Sequence, residues 1–122
     1  GEVWTVGDWQ RCREVSGCDD VMLGRGAVSD PYLALRIRGE AESLPTPAEW
    51  LALLPHLADY WQGVLQKVEP RHAPGRLKLL LGYLRRTWPE AEVLHGLIRP
   101  LRVPAEITEV LARLTPANLQ AA

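Results

Sequence analysis

Val21-Met22-Leu23 is a short apolar run without alternation, and it ends on Gly24-Arg25-Gly26. A strand that is apolar on both faces suits a parallel sheet covered on both sides. Two glycines after it let the backbone turn tightly and come close to a ligand. Upstream, Ser16-Gly17 is a helix stop, because glycine accepts the left-handed backbone just past a helix end. Downstream, Asp30-Pro31 is a helix start, with an acceptor at the N-cap and a fixed φ at the first helical position. The stretch therefore reads as helix end, buried strand, glycine turn and new helix. Such a turn either binds phosphate through backbone N–H groups or only joins a strand to a helix. It is too short for a Walker A loop and lacks the Gly-Lys-Ser/Thr ending.

The flanking sequence extends this pattern. Glu2-Val3-Trp4 reads as a strand end. Thr5 and Asp8 form a capping box with Asp in place of the usual Glu, opening a helix from about Val6 to Val15. Trp9, Cys12 and Val15 are its expected inner stripe. The helix after Pro31 runs to about Arg38, with Tyr32, Leu33 and Leu35 available for packing. Residues 2–38 thus spell strand, helix, strand, helix, too little for a complete parallel barrel or doubly wound sheet.

Gly39 to Pro47 carries Glu40, Glu42, Ser43 and Pro45, and reads as a linker at a domain boundary. Thr46 as N-cap and Pro47 as first helical residue open a helix to about Val68. Leu51, Leu54, Ala58, Trp61 and Leu65 are its expected inner face, and Pro55 kinks it or divides it in two. A second helix spans Gly75 to Thr87, packed through Leu77, Leu80, Leu81 and Leu84. Thr87 is expected to cap a third, with Pro89 in its first turn, Leu94, Leu97, Ile98 and Leu101 inward, and Pro100 at its end. The fourth begins near Pro104 and packs through Ile107, Val110, Leu111 and Leu114, before a frayed tail after Thr115. The fold class is mostly α: a βαβα piece over 1–38, a linker over 39–47, and an all-α helical bundle over 48–122.

The chain's 122 residues fit one ordinary domain or two small units, and 47% hydrophobic content suffices for a packed core. A net charge of −1 points to no partner, but the charge is unevenly spread. Between positions 71 and 102, Arg71, Arg76, Lys78, Arg85, Arg86, Arg99 and Arg102 stand against Glu90 and Glu92. A basic helix face is either a solvated surface or a contact for nucleic-acid phosphates. Tyr83 adds a base or ribose contact to the second reading, and Gly82 room for a backbone.

Cys12 and Cys18 lie at neither metal-ligand nor CxxC spacing and read as small buried thiols, with no disulfide expected. His56, His72 and His95 are scattered, which leaves no metal site. His56 beside Pro55 is expected to be partly buried, and His72 beside Arg71 within reach of phosphate. No apolar run is long enough to span a bilayer and no signal-peptide pattern is present, so no membrane partner is expected and the default location is cytoplasmic.

Gly1-Glu2-Val3, followed by Gly17-Cys18-Asp19-Asp20-Val21-Met22-Leu23-Gly24-Arg25-Gly26-Ala27, resembles the flavin-dependent tRNA-dihydrouridine synthases. That family carries an Asn-Gly-Asp/Glu-Ile/Val strand end, a helix, then Gly-Cys/Ala-Asp-x-Val-Met-Ile/Leu-Gly-Arg-Gly-Ala. Arg76-Leu77-Lys78, Tyr83-Leu84-Arg85 and Ile98-Arg99 are most similar to its C-type branch. The resemblance implies that 1–38 are the C-terminal part of a flavin-binding TIM (β/α)8 barrel and 48–122 a helical tRNA-binding domain. It implies FMN, reduced by NADPH, passing hydride to a D-loop uridine of tRNA to give 5,6-dihydrouridine. By the same resemblance Gly1, Glu2, Gly24 and Arg25 belong to the flavin-phosphate cradle, which barrels often build after their last two strands. Arg76, Lys78, Tyr83 and Arg99 are the implied tRNA contacts, with Arg85 and Arg86 secondary.

The resemblance assigns no catalytic residue to this chain. The family's cysteine general acid, and a lysine and histidine near the flavin, belong to earlier barrel segments, and neither Cys12 nor Cys18 matches the catalytic motif. The Asn expected before Gly1 is also missing. The expectation is a C-terminal portion that is inactive and binds flavin weakly by itself, from a monomeric parent. Unpaired strand edges would favour its self-association. Two other readings stand beside it: a stand-alone helical RNA-binding or interaction module without catalysis, and a helix-turn-helix DNA binder, which the Pro-rich junctions fit poorly.

Overall fold

The computed structural model describes residues 3–17 and 24–114. Gly1, Glu2, Cys18, the expected strand Val21–Leu23 and the tail after Leu114 lie outside the described residues. The chain forms two compact units, Gly1–Pro45 and Thr46–Ala122. Its described part is mostly helical, with seven helices and no strand among the described residues.

The first unit holds α1 (Val6–Ser16), α2 (Arg25–Ser29) and α3 (Leu33–Ile37). The capping box of α1 forms as expected. Thr5 Oγ1 accepts the Asp8 N–H at 3.1 Å, and Asp8 Oδ2 accepts the N–H groups of Thr5 and Trp4 at 3.1 and 3.0 Å. The expected strand at Val3-Trp4 is therefore corrected: the amide that Trp4 would offer a neighbouring strand is taken by the Asp8 carboxylate. At the other end Gly17 adopts φ 70° and donates to the Arg13 carbonyl, the helix stop read from the sequence.

Val15 was expected to face inward with Trp9 and Cys12, but it is 89% exposed while the other two are half-buried. Steps of three residues fall about 60° short of a full turn each time, so Val15 has drifted far from the Trp9 face.

The start of α3 also differs from expectation. Asp30 does not cap it with Pro31 as first residue; Pro31 and Tyr32 form a turn and the helix begins at Leu33. Asp30 Oδ1 accepts the Tyr32 N–H at 3.0 Å, a local turn that competes with helix. The same carboxylate meets Arg36 in a buried fork, with Nε to Oδ2 at 2.8 Å and Nη2 to Oδ1 at 3.2 Å. Arg36 Nη1 donates onward to the carbonyls of Glu42 and Leu44 at 2.9 and 3.2 Å. Arg36 thereby ties the segment after Gly39 back onto α3.

The second unit holds α4 (Pro47–Lys67), α5 (Ala73–Leu84), α6 (Pro89–Ile98) and α7 (Pro104–Arg113). Three of these begin with Pro at the first helical position, after an N-cap in extended backbone: Thr46, Trp88 and Val103. The residue before a proline is pushed out of the α region, so the boundary falls there. This corrects the α6 cap from Thr87 to Trp88, and α5 ends at Leu84, ahead of a turn that takes up Thr87. Thr46 completes a reciprocal box with Glu49: Glu49 N–H to Thr46 Oγ1 at 3.2 Å, and Thr46 N–H to Glu49 Oε1 at 2.9 Å.

The core of this unit is built on tryptophan. Trp61 is 1% exposed and its Nε1 donates to Thr108 Oγ1 of α7 at 2.8 Å. Trp88 is equally buried; its Nε1 donates to the Thr46 carbonyl at 3.1 Å, and its ring lies 6.3 Å from that of Trp50. Leu77, Leu81 and Leu84 of α5, Leu94 and Ile98 of α6, and Ile107 and Leu111 of α7 fill the space around them. Leu51 and Leu97, expected inside, are 46% and 53% exposed and instead line an open apolar groove of about 290 Å³. Pro55 neither divides nor ends α4. It sits with Leu51 on the exposed side, where the Leu51 carbonyl freed by the missing N–H can reach water.

Candidate nucleic-acid interface and glycine turn

Gly24 takes φ 55° and ψ −127°, a backbone that favours glycine, and a Cβ there would meet nothing within 4 Å. The turn therefore presents open backbone at the start of α2. Gly26 is required for the opposite reason: a Cβ on it would lie 1.7 Å from the Val3 carbonyl oxygen and 3.4 Å from Leu33 Cδ2. The close approach read from the two glycines is thus, at Gly26, an approach to the chain's own backbone. Arg25 is exposed, with its guanidinium 5.7 Å from the centroid of the Trp4 ring. Gly1 and Glu2, the other two cradle residues of the sequence reading, lie outside the described residues.

Electrostatics in this unit is local. The Trp4 N–H, followed by Thr5 and Arg11, holds the Asp8 carboxyl below its ordinary value. Arg11 pairs with the same carboxylate. Cys12 is half-buried and carries no disulfide. No group of three His, Cys, Asp or Glu that could hold a metal ion occurs among the described residues. No helix of the described residues is long and apolar enough to cross a membrane.

In the second unit the basic residues fall on α5 and its surroundings. One face of α5 is buried through Leu77, Leu81 and Leu84. The 3.6-residue period puts Lys78, Gly82 and Arg86 away from that face and Arg76, Leu79 and Tyr83 beside them. Lys78, Leu79, Gly82, Tyr83 and Arg86 line one open groove of about 300 Å³. Lys78 and Tyr83 are half-buried, and a Cβ at Gly82 would meet nothing within 4 Å. Arg76 does not join that groove. It faces a second one of about 370 Å³ between α4 and α5, with Tyr60, Gly63, Val64, Lys67 and Val68. Arg99 is exposed at the C-cap of α6 and lines neither groove. The structure thus brings Lys78 and Tyr83 together and leaves Arg76 and Arg99 on separate parts of the unit's surface.

The secondary candidates divide. Arg85 is paired to Glu92 at 3.5 Å, whereas Arg86 lines the Lys78 groove. Arg71 is paired to Glu69 at 2.9 Å. Among the described residues no carboxylate is within ion-pair distance of Arg76, Lys78 or Arg99. His72 is exposed just ahead of α5. His56, expected to be partly buried, is exposed on α4, on the same side as Pro55. Tyr60 and Lys67 line the Arg76 groove but lie outside the basic stretch that the sequence reading takes from Arg71 onward. Their spacing of seven places them on one side of α4, and that was the available signal.

Comparison with known proteins bears on both units. The family model for dihydrouridine synthases (Dus) matches residues 1–82. The tRNA-dihydrouridine(16) synthase of Ralstonia nicotianae is 60% identical over 111 residues, which cover 91% of this chain and 34% of that protein. The enzyme of the same name from Cupriavidus necator is 52% identical over 117 residues, covering 96% of this chain and 36% of that protein. The one from Pseudomonas putida is 47% identical over 112 residues, covering 91% and 35%. The chain spans about a third of the length of the curated relatives it matches. With the glycine turn, Arg76 and Lys78 inside residues 1–82, this chain belongs to the dihydrouridine synthase family.

Proposed function

We propose that this chain supplies the flavin-phosphate turn and the tRNA grip of a tRNA-dihydrouridine synthase that acts at position 16. The position comes from the names of the relatives, and their high identity across both units supports it. In this reading the first unit is the end of a TIM barrel and the second a helical tRNA-binding domain, working in the cytoplasm where tRNA is processed.

The observation that carries the RNA part is the Lys78 groove. It combines two cations, an aromatic ring and an open glycine, with no carboxylate in its lining. Cations neutralise phosphates, a tyrosine ring stacks on an unpaired base or bonds a ribose, and a glycine lets the strand lie close. Arg99 adds a phosphate contact beyond the groove, and Arg76 another on the α4 side of α5.

FMN fits the first unit in chemical terms. Gly24 leaves its backbone open to a phosphate oxygen and Arg25 places a cation beside it. Gly1 and Glu2 complete the cradle in this proposal. Bound FMN, reduced by NADPH, supplies the hydride that converts uracil to 5,6-dihydrouracil. What these residues contribute is anchorage: they hold the phosphate while the helical unit holds the RNA. No residue of this chain is assigned to proton transfer, and by itself the chain is expected to be inactive and to bind FMN weakly.

The test uses the complete gene that encodes this chain, expressed in a bacterium lacking its own dihydrouridine synthases. Mass spectrometry of the purified tRNA should find dihydrouridine at position 16. Dihydrouridine only at other positions, or none from a folded flavin-bearing enzyme, would overturn the assignment.

A further inference from the structure

We infer that the groove between α4 and α5 is a second RNA-contact site, in which Lys67 and Arg76 clamp one tRNA phosphate and Tyr60 lies against the adjoining sugar or base. This rests on the tRNA reading above, which already uses Arg76, and extends it to Lys67, Tyr60 and Gly63, which that reading does not use. Lys67 is the last residue of α4 and Arg76 lies in the first turns of α5, so the two cations stand on opposite walls of one groove. The groove's lining contains no carboxylate, and neither cation has an ion-pair partner among the described residues. Two adjacent cations without counter-charge repel each other, and a phosphate placed between them relieves that repulsion.

The remaining lining suits a nucleotide. Tyr60 is 40% exposed and presents its ring to the groove. Gly63 forms the floor one turn from both Tyr60 and Lys67, and a Cβ there would meet nothing within 4 Å. A groove of about 370 Å³, open to solvent, takes a single nucleotide rather than a duplex. Its position also fits. Arg76 and Tyr83, seven residues apart, lie in one row along α5. That row joins this groove to the one holding Lys78 and Arg86, so a strand crossing α5 meets both in turn.

Gly63 gives a test that does not depend on weakening the fold. Glu at position 63 stands four residues before Lys67, the favourable orientation for a helix ion pair. It also replaces a glycine inside a helix, so Gly63→Glu should leave the chain folded and at least as stable as wild type. The same carboxylate halves the positive charge that Lys67 and Arg76 give the groove. Gly63→Gln supplies the same bulk without charge. Affinity for an unmodified tRNA transcript is measured over a salt series for wild type, both Gly63 variants, Lys67→Ala and Lys78→Ala.

Gly63→Glu and Lys67→Ala should each bind roughly threefold to tenfold more weakly, with salt slopes flatter by about one. Gly63→Gln should keep the wild-type slope. Wild-type affinity and slope in Gly63→Glu and Lys67→Ala, with Lys78→Ala impaired, would overturn this inference and leave the tRNA reading standing. No effect of Lys78→Ala either, or no tRNA binding by wild type, would overturn both.

Discussion

Arg36 is the side chain whose replacement should do most damage to the first unit for its size. Its side chain is 1% exposed and that of Asp30 5%. Arg36→Met keeps a long apolar stem and removes the cation with the four hydrogen bonds described above. The Asp30 carboxylate would then stay buried, with the Tyr32 N–H the one donor left to it of those described above, and the Glu42 and Leu44 carbonyls would lose a donor. Stranding one partner of a buried ion pair costs about 3–5 kcal/mol. Arg36→Lys keeps the charge but cannot span the carboxylate fork and two carbonyls together. It should cost roughly half as much. The Asp30→Asn, Arg36→Met double variant should be more stable than Arg36→Met alone, because it no longer buries an unpaired charge.

Hydrogen exchange read by mass spectrometry separates this from global effects. In Arg36→Met, amides between 33 and 45 should exchange faster by about two orders of magnitude, or up to the limit set by opening of the whole unit. This follows from a tenfold change for every 1.4 kcal/mol, about. Amides of α4 should be unchanged. Protection within about threefold of wild type across 33–45 would refute the reasoning. So would a double variant less stable than the sum of its single changes, since the removal of a stranded charge must give the opposite sign.

Three further outcomes follow from local geometry. Gly26→Ala should destabilise the first unit by at least about 1–3 kcal/mol, because the new methyl meets the Val3 carbonyl at 1.7 Å; unchanged denaturant unfolding would refute this. Asp8, whose carboxyl is held low chiefly by the Trp4 N–H, should titrate below the ordinary aspartate value in a carbon-detected NMR titration. Its contribution to α1 is then full above that ordinary value and lost as the pH falls through the lowered one; Asp8→Asn should remove this acid dependence, and an Asp8 midpoint at or above the ordinary value would contradict it. The Lys78→Ala, Arg99→Ala double variant should bind tRNA more weakly with a salt slope flatter by about two, and equal slopes in folded proteins would make both positions mere solvated surface.

Helix ends were far more legible in the sequence than helix faces. Thr5 with Asp8, Thr46 with Pro47, and Gly17 each act through one or two neighbours along the chain, so their chemistry is readable locally. The inner face of α4 was misread by roughly 60° about its axis. Leu51, Ala58 and Leu65 make as good a stripe as Trp50, Leu57 and Val64, and periodicity alone does not choose between them. The choice is made by partners: Trp50 packs on Trp88, and Trp61 finds its hydroxyl acceptor on Thr108 of α7. The Asp30–Arg36 pair was missed for a similar reason. A helical arginine reads as solvent-facing, and only the return of the chain past Glu42 and Leu44 supplies carbonyls to bury it. The sequence names the candidate residues one by one but not how they group on the surface. Arg76 and Lys78, two apart, cannot face one ligand from a single helix face.

That last point bears on the RNA contact proposed for the second unit. Helix α5 commits Leu77, Leu81 and Leu84 to the core and is left with two flanks rather than one face. Lys78 occupies one flank and Arg76 the other. A ligand that engages both must pass over the helix, and a single extended strand does this where a rigid duplex or a small anion does not. Each flank then has its own floor without a side chain, Gly82 on one side and Gly63 on the other, and neither glycine has a positive φ to explain it. Glycine inside a helix costs about 1 kcal/mol relative to alanine. Here that cost gives no tighter helix packing, since a Cβ at either position would meet nothing within 4 Å. In the proposed reading both positions leave space for the RNA backbone. Gly82→Ala and Gly63→Ala should therefore each raise the stability of the unit. Filling either floor with a larger side chain should weaken tRNA binding without loss of fold, and the two losses should add, because the flanks contact different nucleotides of the same strand.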